Sequence, residues 1–403
     1  TSTMRYAEFS NGTKIIDGES GLADLHILLC GLGASRVMIV GDRELIDSGY
    51  LEKVKKGVLD GDKVDIGAVY LGDESLGVDD VLKDMYFVYM SNDCDGIIVC
   101  GGGRLIDYAK LLRLAVTTQV KDVRSFFSSS SVGRKVINVP LITVPVKFGI
   151  GNGCNAMALY YDREKKLSRN IFNDLLSPDY CIIDDSMLMR MSKSSLAYGV
   201  LNVLGRAIDG FVAIHHARVG IMIKEVDVYD IGEVFCRVVL TNFLDRAKSL
   251  LEIGDKDRIL KMALDSAYLA KGLDVNGMGM IYSLALAISD VKGIGFARCL
   301  PTAIKASLDY NLRACPDKYA QALWAFLGWE KYSQYDKAKR AEGFVQAVKD
   351  FVDGVLQKYI PDHVAPQFTD DERQEIVTAM AYDPHMLNNP RHFDIFAIKA
   401  VLK

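Results

Sequence analysis

The chain has 403 residues, half of them hydrophobic and a quarter charged, with a formal net charge of −4. That length exceeds one ordinary core and points to two domains, while the interspersed charge excludes a basic nucleic-acid footprint. No apolar run approaches the ~20 residues that span a bilayer, and Thr1-Ser2-Thr3-Met4 lacks a signal-peptide profile. The expectation is a cytoplasmic protein with no nucleic-acid and no membrane partner.

Eight scattered cysteines without a C-x-x-C pair read as buried, reduced thiols. In chain order, Asp24 to Leu29 has a helical pattern, and Arg36 to Val40 is a buried strand that ends at Gly41-Asp42. A carboxylate at that tip is placed to accept hydrogen bonds from an adenosine ribose and to repel a 2′-phosphate, which favours NAD. The competing reading is that Asp42 caps a helix beginning near Glu44. Leu51 to Val58 is amphipathic, Val64 to Tyr70 reads as a second strand, and Val78 to Met90 as a helix.

The apolar run Gly96-Ile97-Ile98-Val99 then meets Cys100-Gly101-Gly102-Gly103-Arg104-Leu105-Ile106-Asp107-Tyr108-Ala109-Lys110. A strand, three glycines and a helix start make a place where a ligand can approach the main chain. There the unpaired N–H groups and the helix dipole favour an anion. The pattern fits a nucleotide diphosphate and equally a plain tight turn. After a polar loop around Ser125 to Ser131, Val136 to Val144 reads as a strand leading into Pro145-Val146-Lys147-Phe148-Gly149-Ile150-Gly151-Asn152-Gly153. Ala156 to Asp162 alternates as a strand before the charged turn Arg163 to Lys166, and Ser177 to Asp184 holds one strand more. Alternating strands and helices imply a parallel sheet covered on both faces. Beyond Arg190 the periodicity is helical to the end, so the domains are expected at 1–190 (α/β, dinucleotide-binding) and 191–403 (all-α), with an active cleft between them.

Gly-Gly-Gly-x-x-Ile-Asp-x-x-Lys at 101–110 resembles the cofactor signature of the iron-containing alcohol dehydrogenase family, within the dehydroquinate synthase-like fold. Arg104 stands where the family usually has Ser. The run from Pro145 resembles the family's Pro-Thr-Thr-x-Gly-Thr-Gly-Ser-Glu, with Val146 and Lys147 replacing the threonine pair and Gly153 the glutamate. Leu387-Asn388-Asn389-Pro390-Arg391 resembles its closing segment. The resemblance implies NAD(H) as cofactor, held by Asp42, Gly101, Gly102, Gly103, Asp107, Lys110, Gly149 and Gly151, and a homodimer or higher homo-oligomer.

The resemblance also implies a divalent metal held by one Asp and three His, the first two from Asp-Ala-Leu-x-His-Ala-Ile-Glu. Here that run is Asn202-Val203-Leu204-Gly205-Arg206-Ala207-Ile208-Asp209. The remaining ligand positions fall at Tyr282 and Phe296, and Leu286 takes the place of an additional histidine. An amide, a guanidinium, a phenol and a phenyl ring are not an iron or zinc donor set, so neither metal is expected. His215 and His216 match no ligand position and read as ordinary helix-end residues. A metal lowers the pKa of a bound hydroxyl from about 16 to about 7, on the order of 12 kcal/mol, whereas one preorganised donor supplies a few kcal/mol.

Three readings stay open. One is a metal-free, NAD-dependent oxidoreductase on a small alcohol or carbonyl compound, with Arg206 facing the substrate oxygen or an anionic group, Tyr282 moving the proton and Lys147 positioning cofactor or substrate. The second is a non-catalytic nucleotide-binding relative. The third is a non-redox enzyme with an anion-binding cleft built from Arg206, Lys147 and Arg104.

Overall fold

The computed structural model describes residues 12–18, 20–72, 77–127, 136–149, 151–214 and 231–403. Ser128 to Ser131, Ile150, His215 and His216 lie outside these described residues.

Six strands form one parallel sheet: β1 (Lys14–Asp17), β2 (Arg36–Gly41), β3 (Asp65–Leu71), β4 (Gly96–Gly101), β5 (Leu141–Pro145) and β8 (Tyr180–Ile183), in the spatial order β1-β8-β5-β4-β2-β3. Two further strands, β6 (Met157–Asp162) and β7 (Leu167–Phe172), make an antiparallel hairpin. The main helices beside the sheet are α1 (Leu25–Gly31), α2 (Tyr50–Leu59), α3 (Val78–Ser91) and α4 (Gly103–Thr118). The helical half comprises α5 (Lys193–Val212), α6 (Ile231–Ile253), α7 (Lys256–Asn276), α8 (Met280–Lys292), α9 (Phe296–Asn311), α10 (Pro316–Leu327), α11 (Arg340–Tyr359), α12 (Asp370–Ala381) and α13 (Ile395–Val401). The fold is thus an α/β parallel-sheet region followed by a helical region. None of the described helices is long and apolar enough to cross a membrane.

The central strands are apolar without interruption because both of their faces are covered. Met38, Val40, Ile97 and Val99 point into one core, and Val37, Ile39, Ile98 and Cys100 into the other. Helix α4 is buried on almost every side from Leu105 to Ala115, which explains why its apolar pattern is too broad for a surface helix. From β2 the chain moves out to the edge strand β3 and then returns to β4 on the opposite side, so the winding direction reverses between β2 and β4. Ligands in open α/β sheets sit at such a reversal, beyond the carboxyl ends of the strands. Here those ends are Gly41-Asp42 and Gly101-Gly102, with Gly41 in register with Cys100.

Three elements differ from the sequence reading. The expected strand from Val136 begins only at Leu141, after Pro140, which has no N–H to give to a ladder. Edge strand β1 and the second hairpin strand β7 carry too short or too polar a pattern to be read as strands. All eight cysteines are free thiols, six of them buried, but Cys30 is exposed and Cys94 half-buried.

Candidate functional site

The glycine turn lies at the reversal point. Gly101 ends β4, and a Cβ on it would meet the Cβ and Cδ1 of Leu105 at 3.0 Å, so close packing of the strand on α4 requires glycine there. Gly102 and Gly103 open α4 with no side-chain cap, so the positive end of a 16-residue helix faces the turn, a place that suits an anion. Asp42 stands beside them at the end of β2. It makes no capping hydrogen bond to the helix that follows, and its Oδ1 is buried without a partner. Asp42 thus occupies the N-cap position of the short helix Arg43–Asp47 without a side-chain capping bond, and an orphaned acceptor at this tip fits a ribose hydroxyl.

Asp107 and Lys110 serve a different purpose. Lys110 is fully buried and spends all three of its N–H donors on protein, donating to the carbonyls of Asn152 and Met157 (2.5 Å each) and to Asn155 Oδ1 (2.7 Å). Burial pulls its pKa down to about 8. It has no donor left for a phosphate, which corrects its reading as a cofactor ligand. Asp107 Oδ1 accepts from Asn152 Nδ2 (3.1 Å), and the same amide donates to the carbonyl of Gly103 (2.6 Å). Burial pushes Asp107 up to about 6, against the pull of Lys110. Together these groups fasten the 152–157 segment to the first turns of α4.

Gly149 and Gly151 hold that segment against the helical half. Both have left-handed backbone, with φ of 117° and 69°. A Cβ on Gly149 would meet the Gly199 carbonyl at 3.1 Å, and one on Gly151 would meet the Ser266 carbonyl and Ala270 Cβ at 2.9 Å. Packing against α5 and α7 accounts for both glycines without a phosphate. Lys147 is exposed and borders a small cavity that includes Cys154, Cys181 and Ser266, so the structure does not bring it to Arg206 or Tyr282.

The four positions that correspond to metal ligands do converge. Arg206 donates from Nε to Asn202 Oδ1 at 3.1 Å, one helical turn away on α5. The rings of Tyr282 on α8 and Phe296 on α9 lie 5.7 Å apart, and Tyr282 and Arg206 interact electrostatically. Arg206 is buried, and burial draws its pKa down to about 10, so it stays charged at neutral pH. Tyr282 is pushed well above the ordinary phenol range by burial, and its hydroxyl donates to Asn170 Oδ1 on β7 at 3.1 Å. This amends its reading as a proton carrier: the phenol holds its proton and already has an acceptor. A fixed cation in place of an imidazole does not fit a divalent metal. Among the described residues no group of three or more His, Cys, Asp or Glu side chains could hold one.

Two neighbours were not singled out from the sequence. His385 is buried, with its ring centroid 5.0 Å from that of Tyr282 in an edge-on arrangement. Its Nδ1 accepts from the Met278 N–H (3.3 Å), Nε2 faces the Met157 sulfur (3.3 Å), and burial lowers its pKa, so the imidazole is neutral. Asn170 lies on the strand that was not read. The one available signal for His385 was its place in Asp383-Pro384-His385, where an Asp cap and a proline start a tight turn.

Residues 12–185 match the family model described as iron-containing alcohol dehydrogenase. The NAD-dependent methanol dehydrogenase of Bacillus methanolicus is 21% identical over 394 residues, 96% of this chain and 96% of that protein. The structure of a 1,3-propanediol oxidoreductase superposes with a TM-score of 0.85 at 16% identity, covering 99% of each chain. The sulfoacetaldehyde reductase of Bifidobacterium kashiwanohense, solved in complex with NAD+, gives a TM-score of 0.75 at 14% identity, covering 98% of this chain and 97% of that one. The matched segment takes in Asp42 and the glycine turn and stops before α5, where the four converging positions begin.

Proposed function

For a relative of the iron-containing alcohol dehydrogenases, alike in sequence over residues 12–185 and in fold throughout, we propose an NAD(H)-dependent oxidoreductase that interconverts a small alcohol and its carbonyl compound without the usual metal. The observation that carries this reading is Arg206, a buried guanidinium seated among the other three ligand positions. NAD(H) fits the residues present. The glycine turn and the uncapped start of α4 would take its diphosphate, and the orphaned Asp42 oxygen its ribose, with a bias against a 2′-phosphate. When bound, NADH supplies a hydride.

What the chain's own residues contribute is electrostatic. Arg206 faces developing negative charge on the substrate oxygen from a buried position, and Asn202 sets its orientation through Nε. Tyr282 keeps its proton, and Phe296 and His385 flank its ring. A single donor of this kind is worth a few kcal/mol, so slower turnover than that of a metal-loaded enzyme is expected.

The test joins calorimetric titration with NADH to turnover of a panel of small aldehydes and ketones in EDTA, together with elemental analysis. NADH binding, EDTA-resistant turnover and a loss of roughly a hundredfold in kcat/KM for Arg206→Ala support the reading. Stoichiometric metal, or no NADH binding, overturns it. NADH binding without turnover assigns the chain to the non-catalytic alternative.

A further inference from the structure

Arg206 is the most unusual charge in the molecule. A guanidinium has five N–H donors, and among the described residues one acceptor meets them, Asn202 Oδ1 at Nε. No carboxylate among the described residues forms an ion pair with it, although the side chain is almost wholly buried. The carboxylates nearest in charge are committed elsewhere. Asp209 accepts from the main-chain N–H groups of Ile281 (3.1 Å) and Tyr282 (2.9 Å), and Asp107 from Asn152. Arg113, buried in the sheet half, shows the ordinary solution: it pairs with Asp179 at 2.7 Å and donates to the Val139 carbonyl at 2.6 Å.

A buried guanidinium with no carboxylate partner, whose Nη groups make no hydrogen bond to a described residue, is held at a cost in the free protein. The cost is recovered when a ligand brings a matched anion, because the planar fork binds oxyanions in bidentate fashion. A neutral alcohol would meet at most one or two of these donors and leave the charge uncompensated. Beside Arg206 stands Tyr282, which interacts with it electrostatically and whose ring packs against those of Phe296 and His385.

We infer that Arg206 is the receptor for an anionic substrate group, so that the substrate is a small aldehyde or ketone carrying a carboxylate or sulfonate beside the reacting carbonyl. This rests on the NAD(H)-dependent reading of the same cleft. Nη1 and Nη2 hold the oxyanion and the adjacent carbonyl oxygen together, which fixes the carbonyl carbon relative to the glycine turn. Bound NADH would supply the hydride to that carbon and become NAD+, the C=O π electrons would move to oxygen, and the alkoxide would take a proton from water, leaving hydroxide and the hydroxy carboxylate or hydroxy sulfonate.

The test measures binding apart from turnover. Oxamate, isethionate and neutral glycolamide are titrated by calorimetry into the wild-type protein, with and without saturating NADH, and into Arg206→Gln and Arg206→Lys. Expected is saturable binding of one or both anions with NADH present, no binding of glycolamide, and a loss of roughly tenfold to a hundredfold in affinity for Arg206→Gln, the span of a charged hydrogen bond. Oxamate against isethionate decides between carboxylate and sulfonate. Folding of each variant is checked by its thermal transition, and wild-type protection of Arg206 from phenylglyoxal by the anion, read by peptide mass spectrometry, needs no variant. Anion binding that NADH abolishes, equal binding of glycolamide, or unchanged affinity in Arg206→Gln overturns the inference. Absent NADH binding with retained anion binding overturns the cofactor reading alone.

Discussion

Asp42 shows how much a single atom decides. Its Oδ1 is buried with no partner although a helix N-terminus follows immediately, where a capping bond was available. Among the described residues no donor meets this oxygen, which is what the proposed ribose contact would use. Asp42→Gly is expected to weaken NADH binding by roughly tenfold, the value of one or two hydrogen bonds, and to narrow the preference for NADH over NADPH as the repulsion of a 2′-phosphate disappears. Fluorescence titration with both dinucleotides checks this; an unchanged NADH/NADPH ratio would return Asp42 to a purely structural role. The place of Asp42 at the end of a buried strand was legible in the sequence. Lys110 was not. Its spacing in the glycine motif is that of a cofactor signature, but only the folded chain shows its three donors consumed by Asn152, Asn155 and Met157.

At the scale of elements, α8 begins where α5 passes it, and Asp209 of α5 stands in for the missing cap of α8. Gly279 precedes α8 without a side-chain cap, and Asp209 accepts from the N–H groups of Ile281 and Tyr282 instead. The contact fixes the position of Tyr282 relative to Arg206, three residues before Asp209 on the same helix. Burial raises the Asp209 pKa from 3.8 to about 6 despite those N–H groups. A carboxyl with a raised folded-state pKa takes up a proton on folding, so its contribution to stability is complete below pH ~4 and is lost as pH rises through ~6. Asp209→Asn removes that dependence. Relative to wild type, the variant is expected to fare better at pH 7.5 than at pH 4.5, by roughly 2 kcal/mol. Urea unfolding at the two pH values checks the sign. Helix α5 itself was plain in the sequence, as were the strand-turn-helix at Gly101 and the helical character of the chain beyond Arg190. The cross-helix cap was not, because nothing in a linear pattern says which neighbour a buried carboxylate will meet.

For the whole molecule, the hydrophobic patterns change from mixed to helical near Arg190, yet the cores do not separate there. The core of the helical half takes in Phe148, Cys154, Met157, Cys181, Ile183 and Leu188 from the sheet half. Strand β8 alternates between cores, giving Cys181 and Ile183 to the helical one and Ile182 to one face of the sheet. Hairpin strand β6 does the same with Met157 on one side and Ala158 and Tyr160 on the other. Unfolding either half therefore strips one face from strands that the other half needs. Chains of this size commonly unfold in steps, but shared strands argue for a single transition. The buried thiols can report it, since Cys100 lies in the sheet, Cys181 at the junction, and Cys236 and Cys299 among the helices. Pulsed thiol labelling along a urea series, read by mass spectrometry, is expected to give one midpoint for all four. Reactivity of Cys100 at lower urea than Cys236 and Cys299 would show that the sheet region opens alone, and that the shared strands are too weak a link to make the cleft a unit of the whole fold.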